Sequence, residues 1–302
     1  MRDIIYVENR YFISSRENAL RFHDYINKAT HFIAFDDIDI LVLDNARSYL
    51  SNGVINDCLD RNILILTCDN KHSPKAILSN AFANKKRLER LRNQLQLSSK
   101  SKNRLWRKIV MAKINNQADA VTFTVQDGSV HREIIELGKM VTEGDKDNRE
   151  AVVARKYFRT LFGGNFKRGR FDDVINSALN YGYALVRAVI RRELAICGFE
   201  MSFGIHHMST ENPFNLSDDM IEVFRPFVDV LVFEIIVTND VTVFDYEIKK
   251  LLVNIFLEKC VIAGKVMSLT DAVRVTIQSL ITCLEDDSSA PLKLPSFIQE
   301  GK

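Results

Sequence analysis

Three residues in the middle of the chain carry side chains able to hold a metal ion and stand in contexts that present them: Glu150, His207 and Glu222. Glu150 lies in EGDKDNREAVVARKYFRTLFG, where Ala151, Ala154, Phe158, Leu161 and Phe162 recur at helical spacing. Its carboxylate therefore sits in the first turn or two of an amphipathic helix that Asp147 or Asn148 can cap. His207 ends GIHH, in a loop of polar and turn-forming residues after a long helix closed by Gly198. Glu222 lies in SDDMIEVFRPFVDVLVFEII, where Ser217 is a natural N-cap and Asp218 and Asp219 suit the positive end of the helix dipole. A helix, a loop and a second helix thus each offer one metal-capable group. For Glu150 taken alone, among Arg155, Lys156, Arg159, Lys167, Arg168 and Arg170, an ordinary surface ion pair is the competing reading.

The elements that must position these groups follow from the rest of the chain. At 302 residues with 46% apolar content, two domains are expected, and the net charge of +2 means that any nucleic-acid surface must come from local clustering. No apolar run is long enough to span a bilayer and no cleavable signal is expected, so a cytoplasmic protein is expected, with its five scattered cysteines reduced. Residues 1 to about 45 read as a meander of short strands, 46 to 61 as a helix and ILILTCD as a buried strand, giving a small β-rich domain over 1–80 with one helix, β-sandwich-like. Asp36, Asp37, Asp39 and Asp44 lack calcium-loop spacing and read as a solvated cluster; Cys68 and His72 lack a second ligand pair for zinc. A larger all-α domain is expected over 81–288, making the class α+β, with 289–302 as a flexible tail. At its start, KKRLERLRNQLQLSSKSKNRLWRKIVMAKINNQ carries eleven cations against the single acid Glu89, a density that suits either phosphate neutralisation or a solvated linker helix. Trp106 reads as a core anchor, and Gly182, mid-helix, as a point of close approach by a neighbouring helix.

The stretches EGDKDNREAVVARKYFRTLFG, NSALNYGYALVRAVIRRELAICGFE and GIHHMSTENPFNLSDDMIEVFRPFVD resemble the CRISPR-associated spacer-acquisition integrases, type II branch, and the likeness runs over nearly the whole chain. The shared order is Glu, then His after a Gly-x-x-His turn, then Glu before Arg-Pro. What the resemblance implies is a catalytic and metal-binding triad of Glu150, His207 and Glu222, with Gly204 marking the turn; a shift of one residue would select His206. One imidazole and two carboxylates form a mostly hard set suited to Mg²⁺ or Mn²⁺. Asp218, one turn before Glu222, is expected to support the ligands or to serve as an N-terminal charge, and Arg225 to clamp a phosphate or form an ion pair. Candidate DNA contacts are Lys85, Lys86, Arg87, Arg90, Lys108, Arg155, Arg159 and Arg168. The implied activity is insertion of captured DNA fragments into a CRISPR array by attack of their 3′-hydroxyls. The implied partners are double-stranded DNA (prespacer and repeat), a second copy in a homodimer, the small CRISPR-associated acquisition subunit, type II accessory proteins and the effector nuclease. Two other functions stay open at this point: a metal-dependent structure-specific endonuclease using the same residues, and a non-catalytic DNA-binding scaffold.

Overall fold

A computed structural model describes residues 2–80, 84–169 and 171–299, so Arg170 lies outside the described residues. The chain divides into two compact units, one ending at Lys85 and one beginning at Lys86.

The first unit runs β1 (Asp3–Val7), β2 (Tyr11–Arg16), β3 (Ala19–Asp24), β4 (Thr30–Ala34), β5 (Ile38–Leu43), β6 (Tyr49–Leu50), α1 (Asn52–Asp60), β7 (Leu64–Cys68) and β8 (Pro74–Leu78). Its strands form two four-stranded sheets, ordered β1-β5-β7-β8 and β4-β3-β2-β6. The expected meander holds for β2, β3 and β4, where Glu17 and Asn18 both take positive φ and close a two-residue hairpin. It fails for β1 and β5, which pair in parallel in the other sheet. The reason is legible in IDILVL, a nearly unbroken apolar run buried along its length, which is the pattern of a central parallel strand. The helix expected from residue 46 begins only at Asn52, because Tyr49 and Leu50 pair with β2 and the Ser51 hydroxyl then accepts the Val54 N–H. Ile13, Leu20, Phe22, Ile38, Leu41, Ile65 and, from α1, Val54 and Cys58 share one core between the sheets. Asp39 and Asp44 depart from the solvated reading: both are buried, and Asp44 accepts from the Tyr6 hydroxyl at 2.6 Å and meets the His72 ring at 2.9 Å.

The second unit runs α2 (Arg87–Gln96), α3 (Ser99–Thr124), α4 (Gly128–Lys139), α5 (Arg149–Phe162), α6 (Val174–Ile196), α7 (Asn215–Met220), α8 (Arg225–Val232), α9 (Tyr246–Leu252), β9 (Lys259–Ile262), β10 (Lys265–Ser268) and α10 (Leu269–Glu285). The basic stretch is no solvated linker. Its first part forms α2 and the rest opens α3, whose Leu105, Trp106, Ile109, Val110, Ile114, Ala118 and Val121 are buried while α4, α5 and α8 pack around it. Helix α6 ends in Gly198 with φ 77°, and a Cβ on Gly182 would press into Val228 of α8, so glycine there is what permits the close crossing. Two expectations for this unit change. Residues 259–268 form an antiparallel hairpin, since Ala263 and Gly264 both take positive φ in a two-residue turn. The segment from 289 is packed rather than flexible, as far as the described residues extend: Leu292 is buried, Ser296 bridges Val261, and Phe297 stacks on Phe227 at 4.2 Å. Burial of these two apolar side chains and the bridge to β9 offset the ordering entropy that a polar composition alone would leave unopposed. None of the five cysteines is joined in a disulfide, and among the described residues no helix is long and apolar enough to cross a membrane.

Candidate metal centre

Glu150 is set by the loop before α5. Gly144 donates its N–H to the Asn103 carbonyl at 3.0 Å, tying that loop to α3. Asn148 is the N-cap in left-handed conformation but makes no capping bond with its side chain. The cap is Asp145 instead, buried, whose two carboxylate oxygens accept the N–H groups of Arg149 at 2.9 Å and Glu150 at 3.1 Å. Glu222 stands in a short 3-10 turn between α7 and α8. Ser217 is not the cap expected there; it is buried within α7 and its hydroxyl accepts from Arg191 Nε at 3.3 Å.

The two carboxylates meet on one cation. Lys113 Nζ, reaching out of α3, donates to Glu150 Oε1 at 2.5 Å and to Glu222 Oε2 at 2.5 Å, and Arg225 Nε donates to Glu222 Oε1 at 2.8 Å. Burial pushes the Glu222 carboxyl up, but Arg225 and Lys113 outweigh it and hold it at about 2. Burial likewise works against a charged Lys113, and the two glutamates more than reverse it, leaving the ammonium above its ordinary value.

The histidine loop is organised by Asp219, not by Asp218. Asp219 is fully buried and accepts the backbone N–H groups of Ile205, His206 and His207 at 2.5, 3.0 and 3.1 Å and the His207 Nδ1 at 2.7 Å. Asp218 binds the Asn212 side chain instead. Gly204 is required where it is: a Cβ there would collide with the His207 carbonyl and the Asp219 carboxylate. The hydrogen bond to Asp219 raises the His207 pKa, against the opposing effect of burial. The two histidines part as adjacent side chains of an extended loop should. His206 lies flat on the Trp106 ring at 4.2 Å, whereas His207 meets that ring edge-on and turns Nδ1 to Asp219. Trp106 is thus a core anchor, as read from the sequence, and also the floor of this loop.

As the side chains stand, no three His, Cys, Asp or Glu among the described residues converge on a single point at metal-binding distance. Two of the three expected ligands do converge, on the Lys113 ammonium, which stands where a cation joining both carboxylates would stand. With Nδ1 donated to a carboxylate, His207 keeps Nε2 as its free nitrogen, the usual arrangement of a ligating histidine and its carboxylate partner. A cation between two carboxylates beside an imidazole oriented this way fits a hard divalent ion.

The eight candidate DNA contacts scatter in role. Lys85, Lys86, Arg155 and Arg159 are exposed, the last two one turn apart on α5. Arg87 is exposed and 3.5 Å from Glu200. Arg90 is a correction: it is buried, pairs with Glu285 at 3.3 Å and lies over Phe199, so it braces the fold. Lys108 donates to the carbonyls of Ser289 and Ala290, holding the C-terminal segment on α3. Arg168 binds Asn176 and Asn180 of α6 and lies over Tyr183.

A family model described as CRISPR associated protein Cas1 matches residues 4–263. The chain is 35% identical over 206 residues, 68% of its own length and 67% of the relative's, to the CRISPR-associated endonuclease Cas1 of Neisseria meningitidis serogroup C (strain 8013). Among solved structures it resembles a casposase bound to integration product, with TM-score 0.75 at 17% identity, covering 95% of this chain and 92% of that one. It also resembles a chain of a Cas6-RT-Cas1–Cas2 complex, with TM-score 0.71 at 17% identity, covering all of this chain and 36% of that one.

Proposed function

We propose, for a chain that belongs to the Cas1 family of CRISPR-associated proteins, that its helical unit is a metal-dependent DNA integrase of the type II branch, joining 3′-hydroxyl ends of captured fragments to the repeat of a CRISPR array. The observation that carries this reading is the convergence of Glu150 and Glu222, from separate elements, on one cation position beside an imidazole fixed by Asp219. Glu150, His207 and Glu222 would hold a Mg²⁺ or Mn²⁺ ion, which would supply Lewis-acid activation of a phosphodiester when bound. The chain's own groups do the remainder. Asp145 and Asp219 fix the positions of Glu150 and His207, Arg225 holds Glu222 ionised, and its guanidinium, with that of Arg168, keeps positive charge on the same side of α6 for an incoming phosphate. The overall bond change is balanced, one phosphodiester replacing another, so the reaction draws on no nucleotide hydrolysis.

The partners follow from the family reading. Double-stranded DNA is the substrate on both sides of the reaction, and the working assembly is a homodimer with the small acquisition subunit, type II accessory proteins and the effector nuclease. The similarity to a chain from a Cas1–Cas2 complex supports the small subunit. The relative's name, an endonuclease, supports a second outcome in which water replaces the 3′-hydroxyl at the same residues.

The test is product analysis. A labelled duplex with free 3′-hydroxyls is incubated with a repeat-containing supercoiled plasmid, Mn²⁺, the small subunit and either this chain or its Glu222→Ala variant. Label joined covalently to plasmid by the unaltered chain alone is the expected result. Nicked plasmid without joined label assigns hydrolysis, and binding with neither product, equal in both proteins, leaves a scaffold.

A further inference from the structure

One face of α6 carries more positive charge than the structure neutralises. Asn180, Tyr183, Arg187 and Arg191 follow one another at helical spacing of three or four residues and so share a face. At one end, Arg168 binds Asn180, and the guanidinium groups of Arg168 and Arg225 both lie over the Tyr183 ring, at 5.1 and 4.5 Å from its centroid. At the other end, Arg191 lies 3.7 Å over the Phe214 ring and donates to Ser217. Arg187 stands between them, one turn from each neighbour. It is half-buried, and no described residue offers it a hydrogen bond or ion pair.

The anions nearby are already engaged. Glu222 is shared by Lys113 and Arg225, and Asp218 accepts from Asn212. Burial, then the charges of Arg225, Arg191 and Arg168, lower the Arg187 pKa to about 10, with Asp218 the only opposing charge. An arginine held this way weakens the fold, because a half-buried cation without a partner among like charges is a net cost. Such a cost is tolerated where an anion arrives to remove it.

We infer that Arg187, flanked by Arg191 and Arg225, is a phosphate-binding residue that seats the backbone of a nucleic-acid strand along α6 beside the Glu150–Glu222 pair. From Tyr183 to Arg191 the helix rises through eight steps, on the order of 12 Å. At one phosphate per ~3.4 Å of strand axis, it spans roughly three or four phosphates. Guanidinium groups stacked on aromatic rings are pre-organised for such contacts, and Arg191 on Phe214 and Arg225 on Tyr183 are of this kind. The inference rests on the nucleic-acid reading above but not on the reaction.

The test uses the full chain without divalent metal. Binding of a fluorescein-labelled duplex is followed by anisotropy across a potassium chloride series, and the thermal midpoint is measured with and without inorganic phosphate, for the unaltered chain, Arg187→Gln and Arg187→Lys. Arg187→Gln is expected to bind the duplex roughly three- to tenfold more weakly and to reduce the log–log salt slope by about 0.9, one phosphate contact. Its midpoint without DNA should be unchanged or higher, and Arg187→Lys should recover most of the slope. A lower midpoint with an unaltered slope would overturn the inference by making Arg187 a structural residue. If the unaltered chain binds no duplex, a phosphate-induced rise in midpoint that Arg187→Gln lacks keeps the anion site and removes the nucleic acid; no rise in either protein removes both. Strand joining that fails while the slope difference persists would count against the proposed reaction and leave this site standing.

Discussion

Replacing Lys113 by methionine keeps the length and apolar contacts of the side chain and deletes only the ammonium. Lys113 is 6% exposed, and its ammonium is, among the described residues, the one group that pairs with both Glu150 and Glu222. Without it, Glu222 keeps Arg225, while Glu150 faces Glu222 across the emptied position. Breaking a buried charge cluster by removing one partner costs about 3–5 kcal/mol, and because the Glu150 side chain is about one-fifth exposed the lower half of that range applies. A loss near 3 kcal/mol lowers the melting temperature by roughly 10 °C for a domain of this size. The assay is urea and thermal unfolding in EDTA, repeated with Mn²⁺. The variant should be the less stable protein in EDTA and should regain stability with Mn²⁺ to a greater extent than the unaltered chain, since the ion takes a position the ammonium no longer contests. At an ion concentration a hundred times its dissociation constant the gain is about 2.7 kcal/mol. Equal stability in EDTA, or an equal gain with Mn²⁺ in both proteins, would refute the reasoning that Lys113 occupies the cation position.

Three further outcomes follow from the same geometry. Asp219→Asn removes the charge that raises His207, so its imidazole should titrate at lower pH, read by NMR; the stability this pair supplies is present below the ordinary histidine pKa and lost as pH rises through the raised one. Asp229 is buried with the hydroxyls of Tyr157 and Tyr183 donating to it, and burial pushes its carboxyl to about 6. The folded state therefore binds the extra proton between the ordinary aspartate value and 6, and stability should fall by ~3 kcal/mol as pH rises through that window, a dependence that Asp229→Asn abolishes in urea titrations at successive pH values. Gly182→Ala should cost about 1–3 kcal/mol in the same assay, because the new methyl group meets Val228 and either α6 or α8 must shift.

Much of the site could be read in the chain because its signals are local. The apolar spacing after Glu150, the turn at Gly204 and the helix end at Gly198 each express a constraint within a few residues, and Gly182 stands out as a glycine inside a helix although its neighbour, Val228, is distant in sequence. What escaped is side-chain choice between neighbours and long-range pairing. Lys113 was one cation among eleven, yet it follows Leu105 and Ile109 at spacings of four, on the buried stripe of α3, and a lysine on such a stripe must find carboxylates. Asp218 and Asp219 are adjacent acids, and only the fold decides which of them turns inward to the histidine loop. Asp145, rather than Asn148, caps α5 because the chain at Asn148 is left-handed. The packed C-terminal segment and the parallel pairing of β1 with β5 depend on partners 35 or more residues away, which periodicity does not report. Leu292 and Phe297 were the available sign that the segment would dock.

In the proposed centre, Glu150, His207 and Glu222 hold one divalent ion in place of the Lys113 ammonium. Electron paramagnetic resonance of Mn²⁺ titrated into the full chain tests it most directly, alongside Glu150→Gln, His207→Ala, Glu222→Gln and Lys113→Met. One tight Mn²⁺ per chain is expected, weakened at least tenfold by each of the first three substitutions and tightened by the fourth. Mn²⁺ binding that all four variants leave unchanged would contradict it.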